Sequence, residues 1–80
     1  MSRLRHLCRR GLHELDFLLH GLPDRATLEL SPTAQSRLEA LLAEVPDPML
    51  LAWLMGTAEP PRAVDDLVAW MRRGDMAAVS

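Results

Sequence analysis

The residues best suited to chemistry lie in one stretch near the N-terminus, Cys8-Arg9-Arg10-Gly11-Leu12-His13-Glu14-Leu15-Asp16. On a continuous helix, which advances about 100° per residue, Arg10 and Glu14 lie one turn apart on the same flank. Phe17 follows on the outer side of that flank, and Arg9 adds a second positive charge. Charged groups beside an exposed aromatic ring are typical of a surface that binds another protein.

The alternative interpretation of the same stretch is an ordinary ion pair between Arg10 and Glu14, with Phe17 packed at the edge of the fold. Such a pair contributes only a few tenths of a kcal/mol. If a partner binds instead, alanine at Arg10 or Glu14 is expected to leave stability nearly unchanged and to weaken binding. Reversing the two charges is then expected to fail as well.

The remaining reactive side chains predict neither a catalytic nor a metal site. Cys8 lies on the inner, leucine-rich stripe and is expected to be a small core residue. As the only cysteine it excludes an internal disulfide and a cysteine-ligated zinc site. The three histidines, His6, His13 and His20, are seven residues apart, or about 10.8 Å of helical rise, which is too far for two of them to share a metal. They are expected to lie on a solvated helix face.

Composition predicts a small all-α domain. Eighty residues make one domain, 1–80, with an ordered core of about 3–73, and a chain this short buries only roughly 60% of its unfolded surface. Hydrophobic residues make up 49% and aromatic residues 4%, with leucine and alanine dominant, as in helical bundles.

Charge and hydropathy argue against nucleic-acid binding and against a membrane span, and they favour the cytoplasm. The formal charge of −2 lacks the basic excess of nucleic-acid binders. No stretch approaches the ~20 apolar residues of a membrane span, and residues 1–10 lack the apolar run of a secretory signal. We expect a cytoplasmic protein.

Glycines, prolines and the three-and-four spacing of apolar residues divide the chain into helices. A first helical region is predicted for about Ser2–Leu22, with a bend or break near Gly11–Leu15, because glycine inside a helix costs roughly 1 kcal/mol relative to alanine. Ser31-Pro32 and Asp47-Pro48 are predicted to cap and begin two more helices, the second of which ends at Gly56. The last is predicted to run from Pro60-Pro61 to Gly74. Together they predict a compact bundle of four to five short helices.

Two blocks of sequence resemble a known family. Arg10-Gly11-Leu12-His13-Glu14 is similar to the RGxxE motif of FAD assembly factors of the SdhE type, also called the succinate dehydrogenase assembly factor 2 family. Downstream, Asp47-Pro48 leading into Trp53-Leu54-Met55-Gly56 is similar to the second signature of that family. The resemblance covers the chain from about Arg3 to Arg73.

The resemblance implies a five-helix bundle that binds the flavoprotein subunit of a succinate dehydrogenase or fumarate reductase and promotes covalent attachment of its FAD. The matching positions are Arg10, Gly11 and Glu14, where glycine lets the two backbones come close. On this interpretation FAD is attached to the partner and is not stably bound here, the free protein is monomeric, and it is not an enzyme.

Two other functional classes compete with this one. A generic helical interaction module, such as the antitoxin partner of a toxin, would use the same exposed flank on a different target. A small enzyme is disfavoured, because no nucleophile–base pair and no set of metal ligands converges in the sequence.

Overall fold

The computed structural model describes the backbone of residues 3–79 and the side chains of residues 3–73. Helices make up 70% of the chain and the described residues contain no strand, so the all-α prediction is confirmed. Five helices of six or more residues follow a shorter N-terminal one. In chain order they are α1 (Arg3–Leu7), α2 (His13–Leu18), α3 (Leu22–Glu29), α4 (Pro32–Glu44), α5 (Asp47–Met55) and α6 (Asp65–Val79).

Two glycines divide the predicted first helical region. Gly11 has φ +83° and Gly21 has φ +80°, so each adopts a left-handed conformation through which a regular helix cannot continue. The break predicted near Gly11–Leu15 is therefore present, although it lies slightly earlier, in residues 8–12. The second break, at Gly21, makes α3 a separate helix that the sequence did not predict.

Several helix ends match their sequence signals. The Ser31 hydroxyl accepts a hydrogen bond from the backbone N–H of Ala34, as expected of an N-cap. Gly56 ends α5 in a left-handed conformation with φ +80°. There the N–H of Thr57 donates to the carbonyl of Ala52, which satisfies one of the free carbonyls of the last turn.

Two other helix ends differ from the prediction. Pro46, not Asp47, is the N-cap of α5, and its hydrocarbon ring can make no capping hydrogen bond. Asp47 is the first helical residue, and its carboxylate pairs with an arginine elsewhere in the chain. The last helix begins at Asp65, because a turn closed by the Val64 N–H and the Pro61 carbonyl precedes it. It continues to Val79 past Gly74, so the predicted stop at that glycine is wrong.

The core among the described residues is formed mainly by leucines, and all six helices contribute to it. α1 packs on α4, α2 on α5, and α5 on α6. α5 is apolar throughout, yet Met49 and Met55 are 48% and 59% exposed, so only one side of it is buried. The buried apolar residues are Leu4, Cys8, Leu15, Leu19, Leu22, Ala26, Leu38, Leu41, Leu42, Leu50, Trp53, Leu54, Leu67, Val68, Trp70 and Met71.

A polar cluster fastens α3 to α6. The guanidinium of Arg25 lies over the ring of Trp70, 4.2 Å from its centroid, and donates to the Trp70 carbonyl. The indole N–H of Trp70 donates to Glu29 at 3.0 Å, and this bond lowers the pKa of the Glu29 carboxyl. These contacts join α3 to α6. No helix among the described residues is long and apolar enough to cross a bilayer.

Candidate functional site

The candidate site is built on the turn between α1 and α2. The Cys8 N–H still bonds to the carbonyl of Leu4, so the helical path of α1 ends there. Residues 9–12 leave that path, and Gly11 reverses the backbone at φ +83°. Leu12 is the N-cap of α2 and its carbonyl accepts the first bond of the new helix, from Asp16. In residues 8–16 the first half is therefore a turn and the second half is helix.

The side chain of Arg10 points into the protein and is only 11% exposed. Its Nη1 donates to the carbonyls of Leu7 (2.9 Å) and Leu42 (2.6 Å), and Nη2 donates to the carbonyl of Val45 (2.9 Å). Nε donates to Oδ1 of Asp47 at 2.8 Å. One guanidinium thus joins the end of α1, the end of α4 and the start of α5, using the planar fork of donors that distinguishes arginine from lysine.

The prediction that Arg10 and Glu14 share a helix flank is wrong. Gly11 interrupts the helix between them, so Arg10 lies in the turn while Glu14 lies in the first turn of α2. Among the described residues Arg10 pairs with Asp47, which also removes the alternative of an ion pair between Arg10 and Glu14. The Arg10 side chain stabilises the turn from within.

The other predicted site residues are exposed. Phe17 is 80% exposed, as the sequence predicted, and Glu14 is exposed three residues before it, on the same face of α2. Gly11 is exposed too, and a Cβ built there would meet no atom within 4 Å. We call the surface formed by Gly11, Glu14 and Phe17 the motif face. It offers a bare stretch of backbone, a carboxylate and an aromatic ring.

Arg9 lies beside the motif face, in a shallow open cleft between α1 and the α2–α3 corner. The cleft also contains Asp16, His20 and an exposed ion pair between Arg5 and Asp24, so charges of both signs face it. Mixed charge and open shape make the cleft poorly suited to bury a cofactor. Among the described residues no three His, Cys, Asp or Glu side chains are placed to bind a metal ion.

Sequence reasoning missed two carboxylates that hold this turn. Oδ1 of Asp16 accepts the backbone N–H of Arg10 at 2.9 Å, and Asp47 accepts Nε of the same residue. Asp47 carried a signal, because it opens the second block of family-like sequence. That pattern predicts only a local helix cap, because nothing in the sequence joins two residues 37 positions apart.

Cys8 is expected to be unreactive in the folded protein. Burial raises the pKa of its thiol from 9.0 to about 11, although the charges of Arg10 and Arg5 act in the opposite direction. Because only the thiolate is alkylated, two pKa units mean about a hundredfold less reactive species at neutral pH. Alkylation by iodoacetamide, followed by mass spectrometry, should be at least about a hundredfold slower in buffer than in concentrated urea. Equal rates would contradict the burial of this thiol.

A family profile and individual relatives identify the same family. The profile of the family Sdh5, described as "Flavinator of succinate dehydrogenase", matches residues 2–74. The protein named FAD assembly factor SdhE from Legionella pneumophila (strain Paris) is 38% identical over 74 residues, which cover 92% of each chain. The protein of the same name from Colwellia psychrerythraea is 47% identical over 55 residues, covering 69% of this chain and 59% of the relative. No solved structure matches the chain significantly.

Proposed function

The chain belongs to the Sdh5 family of succinate dehydrogenase flavinators. We propose that it binds the flavoprotein subunit of a succinate dehydrogenase or fumarate reductase and promotes covalent attachment of FAD to that subunit. The observation that carries the proposal is the motif face. It combines an 80% exposed phenylalanine and a carboxylate on α2 with a bare glycine in the preceding turn, which Arg10 fixes from within.

Each residue of the motif face has a distinct role in the proposed complex. Phe17 inserts its ring into an apolar recess of the flavoprotein, as aromatic anchors do at the centre of interfaces. Glu14 accepts hydrogen bonds from donors of the flavoprotein and sets the register. Gly11 admits the partner's backbone, since it projects no side chain and has open space around it. Arg9 adds a positive charge at the rim, while Arg10 contributes by holding the turn.

The proposed mechanism is conformational. The chemistry of flavin attachment is supplied by the flavin and by a side chain of the flavoprotein. A small bundle assists by binding one conformation of the flavoprotein more tightly than others, which raises the population of that conformation. We therefore propose an assembly factor that is not an enzyme, holds no FAD of its own, is monomeric when free and acts in the cytoplasm.

A pull-down with the tagged protein from native cells tests this function. Elution should contain a large flavoprotein, identified by mass spectrometry and by its flavin absorbance. The matched control is the tagged Glu14→Ala variant, which should recover much less of it while expressing equally. Recovery of a small toxic protein in place of the flavoprotein would contradict the proposal and favour an antitoxin.

Phe17→Ala is expected to weaken binding of the purified flavoprotein subunit by about 2 kcal/mol, or roughly thirtyfold in Kd, as for a central aromatic anchor. Stability should change by less than about 0.5 kcal/mol, because the ring is exposed in the free protein. Isothermal titration calorimetry and thermal unfolding measure the two quantities.

The control for Phe17 is Leu28→Ala. Leu28 is 85% exposed and apolar but lies on α3, outside the motif face. Its replacement should alter neither binding nor stability. Equal losses of affinity for the two variants would mean that general surface hydrophobicity, rather than the motif face, drives association.

A further inference from the structure

We propose that Asp16 and Asp47 are positioning residues of the motif face, which hold the turn between α1 and α2 from two sides through Arg10. The assignment rests on the proposed function, because the surface they position is the one proposed to bind the flavoprotein. Both carboxylates accept hydrogen bonds from the same residue. Asp16 accepts the backbone N–H of Arg10, and Asp47 accepts Nε of its side chain.

The turn needs such support because of its glycine. Residues 9–12 lie outside any helix, and Gly11 sits in the left-handed region. Glycine has the widest choice of backbone conformations of any residue, so Gly11 alone does not fix the direction in which α2 leaves the turn. The contacts of the preceding residue, Arg10, add to the packing of α2 on α5 and constrain the turn itself.

Asp16 joins the turn to α2. It lies two residues after Glu14 in the same helix, and its Oδ1 is 2.9 Å from the backbone nitrogen of Arg10. This hydrogen bond closes a ring of chain from residue 10 to residue 16, which includes Gly11 and Glu14. The bare backbone and the carboxylate of the motif face consequently move as one unit.

Asp47 joins the same turn to the body of the bundle. It is the first residue of α5, where the helix dipole favours a carboxylate, and its side chain is 30% exposed. Through Arg10 it links positions that are 37 residues apart in sequence. The carbonyls of Leu42 and Val45 accept from the same guanidinium, so the turn is fixed to the α4–α5 corner.

A surface held in this way is preorganised for binding. If the turn loosens, the motif face must be ordered when the flavoprotein binds, and that cost appears as lost affinity. A role limited to stability would act differently. It would reduce the folded fraction while leaving the affinity of folded molecules unchanged.

The experiment compares Asp16→Ala, Asp16→Asn, Asp47→Ala and Asp47→Asn with wild-type protein at a temperature where all are folded. The control is Asp24→Asn, which removes a charge from the exposed Arg5–Asp24 ion pair, whose side chains are 64% and 70% exposed. Hydrogen exchange of the Arg10 and Gly11 amides reports the order of the turn. Calorimetric titration with the purified flavoprotein subunit reports affinity, and thermal unfolding reports stability.

Each alanine variant should weaken affinity about tenfold or more and speed amide exchange in the turn. Each asparagine variant keeps an acceptor oxygen, so it should restore most of the affinity and most of the exchange protection. Asp16→Ala should weaken affinity and speed exchange with little change in Tm. Asp24→Asn should match wild type in all three measurements. Unchanged affinity in both alanine variants, or unchanged exchange of the Arg10 amide in Asp16→Ala, would overturn the assignment. Failure of wild-type protein to bind the flavoprotein would overturn the proposed function itself, and exchange would still show separately whether the two carboxylates order the turn.

Discussion

Replacing Arg10 with alanine is expected to lower the free energy of unfolding by about 3 kcal/mol, measured by urea denaturation. The guanidinium is 11% exposed and donates four hydrogen bonds. Its loss leaves three carbonyls without these donors and leaves the Asp47 carboxylate without its cation. A loss below about 1 kcal/mol would show that water replaces these contacts at little cost.

The control for this prediction is another arginine that makes an ion pair. Arg5 pairs with Asp24 at 2.8 Å, but both side chains are more than 60% exposed. Arg5→Ala should therefore cost only a few tenths of a kcal/mol. Arg10→Lys should fall in between, because lysine keeps the charge but cannot reproduce the planar fork. The expectation from sequence that alanine at Arg10 would barely change stability assumed an exposed side chain, and the burial of Arg10 contradicts that premise.

Gly11→Arg is expected to abolish support of covalent flavin attachment while leaving a folded protein. Gly11 is exposed, and a Cβ there would meet no atom within 4 Å. We therefore expect the arginine to project from the motif face and to block the approach of a partner's backbone. The left-handed backbone, φ +83°, adds a strain of about 1 kcal/mol for any residue with a Cβ. Circular dichroism and thermal unfolding check the fold, and covalent flavin fluorescence checks the function.

The chain offers a matched control in Gly21. It has φ +80° and open space at its Cβ, so Gly21→Arg imposes the same strain outside the motif face. This variant should retain support of flavin attachment. Loss of function in both variants would assign the effect to strain, and unfolding of Gly11→Arg alone would show that Gly11 is needed for folding.

The backbone conformation of Gly11 decides the sign of one further effect. In a plain helix Gly11→Ala would stabilise the protein by roughly 1 kcal/mol. Since Gly11 is in the left-handed region, the same change is expected to destabilise the protein by about that amount. The binding defect of Gly11→Ala should still be milder than that of arginine, because a methyl group is a small obstacle.

Local signals predicted most of the fold. Ser31 followed by proline, and glycine at position 56, marked helix ends that the structure confirms, because caps depend on atoms a few residues apart. Cys8, predicted to lie on an inner, leucine-rich stripe, is buried as expected. The sequence predicts the end of α6 at Gly74, but the good helix formers Ala77 and Ala78 follow and the helix continues to Val79.

The site was predicted only in part. The exposure of Phe17 and Glu14 follows from helical periodicity, which holds within α2. The position of Arg10 depends on how far the chain turns at Gly11 and on acceptors 32 to 37 residues away. Such long-range contacts leave no periodic trace, so an arginine that fastens the turn had the same local pattern as one facing solvent.

Covalent flavin on the dehydrogenase subunit of a strain lacking this gene is the most direct test of the account. After denaturing electrophoresis, in-gel flavin fluorescence at the flavoprotein band is compared with an antibody signal for the same subunit. The account predicts that deletion removes most of the fluorescence per subunit, that the wild-type gene restores it, and that Gly11→Arg and Glu14→Ala at equal expression do not. Full fluorescence in the deletion strain would contradict the central claim.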